Sequence, residues 1–433
     1  MIGAMAETTR PRLVFAACCV PYPPDSGARI RTYQLLKGLA ESFDTLFVTF
    51  DEHPRGREAS SAVEQLKRLV PNLETVTVPG PGPRKRATQA ASLLHRKSWT
   101  LGSYHTPAFA ATLACAVSAH RPGIVHFDDP AVALVAPIAD AVNVCGAHNV
   151  EATLLRFETR VGSPIRRVFN TVEARKVGRE EPRIWRTVDL CLAVSALDGA
   201  AMKAAGARRV ELCPNGVDVV DRLPLRAFSR GEPLRLLFVG SGSYAPYERG
   251  LAWLVRDVLP LVRAQVPVAL DVVGEPPNHP LAGDGVRYVG RVPTVKPYYE
   301  AAHIVVVPVF EGSGTRLKII EAAAYGRPLV STRLGAEGLP LEAGEHYLAA
   351  DGAEQFAAAV VQFERWHREP VGGRLERMLA GAREAILPLM WPRVVERLVA
   401  LYRSEVERHS ATAVGEAGSS GAAPPDRSPG RAR

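Results

Sequence analysis

Short apolar runs alternate along the chain with longer stretches in which apolar positions recur at helical spacing. That alternation predicts parallel sheets with crossover helices, because strands buried on both faces read as nearly continuous apolar runs. The first series of strand candidates is Leu13–Val20, Asp44–Phe50, Leu73–Val78, Ile124–Phe127, Val142–Ala147, Leu190–Val194 and Arg209–Leu212. Helical patterns fall between them, as at Arg29–Ala40 and Ser60–Leu69. A turn-rich stretch from Pro214 to Pro233 interrupts the rhythm. The second series is Leu234–Val239, Val268–Val273, Val286–Val289, Ile304–Pro308, Pro328–Ser331 and His346–Ala349. The expectation is an α/β protein with two Rossmann-like domains. The first covers 1–220 and the second 234–390, followed by a helix over 391–409 and a disordered tail over 410–433. In that helix Val394, Val395, Leu398, Val399 and Tyr402 share roughly one face, which must be buried against one of the two domains.

Composition agrees and adds little. The 433 residues are 47% apolar, enough for two cores and incompatible with a mostly disordered chain. No stretch reaches the roughly 18 apolar residues of a membrane span. The six cysteines form no Cys-x-x-Cys and fit buried small side chains in a reducing cytosol. The run Leu13–Val20 is short for a signal peptide and enters Pro21-Tyr-Pro-Pro24, so it reads as the first strand of a cytoplasmic protein.

The densest chemistry lies between Pro308 and Ser331. A strand ends at Pro308, small residues turn the chain at Gly312–Gly314, and a helix runs from near Thr315 to Gly326. Small residues admit a ligand close to backbone N–H groups, and a helix N-terminus favours negative charge. Arg316 and Lys318 sit in the first turn, where the helix dipole disfavours cations, so they point to a bound anion such as a diphosphate. Glu321 lies one turn beyond Leu317, able to accept from ligand hydroxyls. Elsewhere, His148 ends a strand at what should be the C-terminal edge of a parallel sheet, where ligands bind. His126 is a second-rank candidate. Gly27 follows the first strand ahead of a helix whose start carries Arg29 and Arg31.

At these residues the chain resembles the retaining glycosyltransferases of family 4, which have the GT-B fold. Beside 308–331, the segments Pro24-Asp-Ser-Gly-Ala-Arg-Ile-Arg31, Gly146-Ala-His-Asn-Val-Glu151, Val194-Ser-Ala-Leu-Asp198, Pro214-Asn-Gly-Val-Asp218 and Leu236-Leu-Phe-Val-Gly-Ser241 carry the likeness, in order and spacing, over nearly the whole chain. The resemblance implies two facing domains with a C-terminal helix crossing back to the first. A nucleotide-sugar would bind mainly to the second domain and the acceptor mainly to the first. It implies an active-site role for His148 and a ribose contact for Glu321. Donor contacts would come from Gly27, Gly240, Ser313, Gly314, Thr315, Arg316, Lys318 and Arg249. Two departures stand out. The family's Glu-x7-Glu motif is half absent, since Ser313 takes the place of its first glutamate and Glu311 is out of register. The loop after the first strand of the second domain lacks the usual arginine, and only Arg249 stands near its lysine. Arg316 and Lys318 are expected to supply the missing charge.

The chain has no Asp-x-Asp, and no metal or other cofactor is expected. Gly240-Ser-Gly242 imitates a dinucleotide fingerprint, but no acid stands about 20 residues on and Asp271 lies inside its strand. A non-hydrolysing sugar-nucleotide epimerase and a two-lobed non-catalytic binding protein share the architecture and remain alternatives.

Charge bears on the acceptor. The net charge is +8. No acid occurs between Glu74 and Asp128, while Arg84, Lys85, Arg86, Arg96, Lys97 and Arg121 do; Arg156, Arg160, Arg166, Arg167, Arg175 and Lys176 follow. Such an excess suits either plain solvation or an anionic membrane surface at its inner face, presenting a lipid-linked acceptor. Glycan and small-molecule acceptors fit equally. Nucleic acid does not, since no recognition motif accompanies the charge.

Overall fold

The computed structural model describes residues 10–51, 59–71, 73–80, 85–160, 163–226, 231–242, 244–277, 280–312, 314–368 and 373–419. Each apolar run has become a strand. In the first half these are β1 (Arg12–Ala17), β2 (Asp44–Phe50), β3 (Glu74–Val78), β4 (Ile124–Phe127), β5 (Val142–Gly146), β6 (Leu190–Ala193) and β7 (Val210–Leu212). They pair in parallel in the order β3-β2-β1-β4-β5-β6-β7. The second half supplies β8 (Leu234–Val239), β9 (Val268–Val273), β10 (Val286–Gly290), β11 (Ile304–Val307), β12 (Leu329–Ser331) and β13 (Leu348–Ala349). Their order is β10-β9-β8-β11-β12-β13, again all parallel. The sequence places β1 too long: pairing stops at Ala17, and Pro21, Pro23 and Pro24 beyond it have no N–H to extend a ladder.

Both sheets reverse strand order beside their first strand, between β1 and β4 and between β8 and β11. Such points open a crevice at the C-terminal ends of the strands. Gly27, Asp128 and His148 follow strands of the first sheet; Gly240 and residues 308–316 follow strands of the second.

The chain crosses between the domains twice. The outward segment passes through Pro214–Asp218, and the return passes through Leu389–Trp391. The two are hydrogen-bonded to each other, Val217 N–H to Leu389 O and Trp391 N–H to Val217 O, both 2.9 Å. From there the helix Trp391–Ser419 crosses to the first domain and packs on the helix Gly27–Ser42. Trp391, Val394, Leu398 and Tyr402 are buried in the core beneath β1, β2, β5 and β6. The approach is close: a Cβ at Gly38 would stand 2.3 Å from Val395 Cγ1. This helix continues past His409 to Ser419, and residues 420–433 lie outside the described residues. Among the described residues no helix is long and apolar enough to cross a membrane. All six cysteines are free thiols, Cys115 exposed and the others at least partly buried.

Candidate active site at the domain cleft

On the second domain the helix Leu317–Tyr325 starts immediately after the Gly-rich turn and has no acid in its first turn. Lys318 is buried, and its ammonium lies 3.3 Å from the ring centre of Tyr247 and 4.8 Å from that of Phe238. Nζ has no hydrogen-bond partner. Burial, reinforced by the charge of Arg316 and opposed by Glu321, pushes Lys318 down to about 7. Gly240 makes room for this amine, since a Cβ there would come within 2.5 Å of Nζ. A lone buried cation between two aromatic faces is costly unless an anion completes it.

Arg316 is also buried but already engaged. Its guanidinium holds the turn, Nη2 donating to Gly312 O at 3.0 Å and Nη1 to Gly314 O. These bonds hold the Gly-rich turn in shape. Arg249 pairs with Glu311 at the rim of the same loop. Glu321 accepts from Tyr299 O–H at 3.0 Å, and Tyr299 stacks on Tyr325. Burial raises the Glu321 carboxyl above its ordinary range. Ser313 lies outside the described residues, as does Arg84.

On the first domain His148 stands just past β5, with Nε2 3.2 Å from Asp128 Oδ2. The same oxygen accepts from Thr32 O–H at 2.5 Å. Burial works against charge on His148, but Asp128 and then Asp129 outweigh it and raise its pKa. Asp128 is itself held well below the usual carboxylate range: burial opposes ionisation, and His148 and His126 overcome it. The helix Glu151–Glu158 that follows is capped from a distance. Glu181 accepts from the N–H groups of Glu151 (2.8 Å) and Ala152 (2.9 Å), fixing the exit of the His148 loop.

The two halves meet at these residues. A Cβ at Gly314 would lie 3.3 Å from His148 O, and Gly314 has φ +78, so glycine serves both the turn and the close approach. A Cβ at Gly27 would lie 3.3 Å from Leu317 Cδ1. Thr315 Oγ1 accepts from Asn215 Nδ2 at 2.8 Å, and Asn215 Oδ1 accepts from Arg31 at 3.3 Å. Arg291 stands 3.6 Å from Asp25, which Arg29 holds at 2.7 Å. Arg29 and Arg31 therefore have intramolecular partners at this helix start, while Nη2 of Arg31 is buried without a hydrogen-bond partner. The structure thus brings Gly27, His148, Gly314, Thr315, Arg316, Lys318, Glu321 and Gly240 to one cleft, with Arg249 at its edge. Asp128, Thr32, Tyr247 and Tyr299 join them from outside the sequence expectation. Of these, Asp128 alone had a readable signal, a carboxylate directly after β4 at the order reversal. Glu275, just past β9, is a further acid the sequence reading missed; it pairs with Arg291 at 2.6 Å.

Comparison with known proteins fits this geometry. The family described as Glycosyl transferases group 1 matches residues 233–364. No curated protein matches the sequence. Among solved structures, sucrose-phosphate synthase from Thermosynechococcus elongatus is 18% identical with a TM-score of 0.67, covering 91% of this chain and 98% of that one. Anabaena Alr3699/HepE in complex with UDP is 14% identical with a TM-score of 0.60, covering 91% and 100%. A glycosyltransferase from Rickettsia africae is 11% identical with a TM-score of 0.60, covering 92% and 99%. At such identities the shared property is the fold. Two facing parallel sheets, a returning C-terminal helix and the matched second domain lead to one conclusion: residues 233–364 match the glycosyl transferases group 1 family, and the chain has the GT-B fold.

Proposed function

We propose that the protein transfers a sugar from a nucleoside-diphosphate sugar to an acceptor hydroxyl with retention at the anomeric carbon, as its resemblance to family 4 implies. The observation that carries the reading is the unpartnered, buried ammonium of Lys318 beside Gly240. A donor diphosphate would complete it, with the first-turn amides of the helix Leu317–Tyr325 adding their dipole. Charge grows on the diphosphate as its bond to the sugar breaks, and a cation already desolvated and fixed stabilises that charge without reorganising. Glu321, oriented by Tyr299, would accept from the ribose. His148, held by Asp128, would face the donor sugar and the acceptor. Glu311, paired with Arg249, makes a neutral rim in place of a free carboxylate at the family's missing glutamate.

HepE has been seen with UDP-glucose, which makes UDP-sugars the first donors to try. Purified protein is screened by calorimetry against UDP-, GDP- and dTDP-sugars, with donor hydrolysis followed in parallel. One donor class is expected to bind and to hydrolyse slowly without acceptor. Binding of none would overturn the reading.

For the acceptor we infer a lipid-linked molecule on an anionic membrane. Leu94 is 90% exposed and Ile165 84% exposed, and both are flanked by exposed cations, Arg96 and Lys97 by the first and Arg166 and Arg167 by the second. Lys176 is not part of this surface, being buried with Nζ on Ser92 O at 2.6 Å.

A further inference from the structure

His126 and Tyr402 are wholly buried, belong to segments far apart in the sequence, and meet side by side. The Tyr402 hydroxyl, on the helix that crosses back from the second domain, hydrogen-bonds His126 Nδ1. The imidazole stacks on Phe15 with ring centres 4.3 Å apart, so it cannot turn freely. Its other nitrogen, Nε2, has no hydrogen-bond partner, and Asp128 Oδ1 lies 3.5 Å from it. The opposite oxygen of that carboxylate holds His148 Nε2 and Thr32. We propose that Tyr402 is a positioning residue for His148, its hydroxyl selecting the tautomer of His126 and thereby the hold of Asp128 on His148.

Neutral imidazole carries one N–H and one lone pair. If Nδ1 bore the hydrogen, the lone pair of Nε2 would face a buried carboxylate oxygen and repel it. With Tyr402 donating to Nδ1, the hydrogen resides on Nε2 and points toward Asp128. The carboxylate then meets a positive edge at each oxygen: the Nε2–H of His126 faces Oδ1 at 3.5 Å, an electrostatic contact longer than a hydrogen bond, and His148 and Thr32 hydrogen-bond Oδ2. That arrangement fixes its plane and directs its second oxygen to His148. Nδ1 of His148 is left outside this network. Gly146 lies alongside, where a Cβ would be in ordinary contact with His126 Nε2 at 3.5 Å and tight against Asp128 O at 3.3 Å. The consequence is a polar chain, Tyr402–His126–Asp128–His148, that ties the returning helix to the cleft. It rests on the proposed role of His148 only in its effect on rate.

Two measurements test it. In 15N-histidine-labelled protein, long-range 1H–15N spectra report the His126 tautomer. The Nε2–H form is expected in the wild type, with the Nδ1–H form appearing in Tyr402→Phe. A wild-type Nδ1–H form overturns the proposal, whether or not any variant folds. The second is a double-mutant cycle on transfer rate. Tyr402→Phe is expected to lower kcat about tenfold with donor KM within twofold, and to change kcat less than twofold in an Asp128→Asn background. An equal loss in both backgrounds would mean the hydroxyl acts through packing alone and would sink the relay. Should the wild type transfer no sugar, the proposed function fails while the tautomer still decides the relay.

Discussion

A buried, unpartnered amine such as that of Lys318 burdens the protein unless an anion completes it. Burial pushes the amine down to about 7, from an ordinary lysine value of about 10.4. Between those values the unfolded chain binds a proton that the folded chain does not, so this group's contribution to stability rises with pH across that window and its penalty is complete below it. A bound diphosphate restores the ammonium. Donor binding should therefore take up a proton above pH 7, and affinity should fall toward pH 9 by up to about tenfold per unit. Calorimetry in buffers of different ionisation enthalpy measures that uptake. Lys318→Met should lose both the affinity and the pH slope while melting no lower than the wild type at pH 7, because the lone buried charge is gone. A variant that kept the slope would move the phosphate contact elsewhere. The position was legible in the residues, a lysine in the first turn of a helix after glycines, and the structure places it there, buried beside Gly240. What stayed hidden was partnership. That Arg316 spends its hydrogen bonds on Gly312 and Gly314, or that Arg249 meets Glu311, depends on rotamers and on loops brought together only by folding.

At the scale of elements, the apolar runs foretold the central strands most clearly, because β1, β4, β5, β6 and β11 are buried on both faces, whereas the edge strands β3, β7 and β10 are partly exposed. The amphipathic face at 394–402 likewise announced a buried helix but not its partner, since apolar side chains carry no address. Packing supplies it through Gly38, where the helix Gly27–Ser42 has no side chain and Val395 takes the space. Gly38→Val should force the helices apart and cost about 1–3 kcal/mol, read as a lower midpoint in urea. Tyr402 would be displaced with its helix, so activity should fall further than stability alone explains. An unchanged midpoint would mean that the crossing helix is held chiefly by Trp391 and Leu398.

The whole molecule presents two electrostatic problems on different surfaces. Inside the cleft, few charges are fixed and desolvated; outside, many are solvated and screened. Only the outer set should depend strongly on salt. Flotation with vesicles containing anionic lipid should recover the protein at low ionic strength and lose it near 0.5 M salt, each cation at the surface adding about 1 kcal/mol. Binding should weaken when Leu94 and Ile165 are replaced together by Ser. Equal recovery with neutral vesicles would count against a charged surface as the acceptor's carrier.

The returning helix also has a temporal meaning. Trp391, Val394, Leu398 and Tyr402 belong to the core of the first domain, although the whole second domain is made before them. During synthesis the first domain must therefore wait, with an open apolar seam along the helix Gly27–Ser42, until the helix that begins at Trp391 leaves the ribosome. Its neighbour can close on local contacts in the meantime, whereas the seam closes across the longest separations in the sequence. Nascent chains stopped before Trp391 would be the ones that chaperones hold. The first domain is completed by the returning helix, not by its own segment of chain.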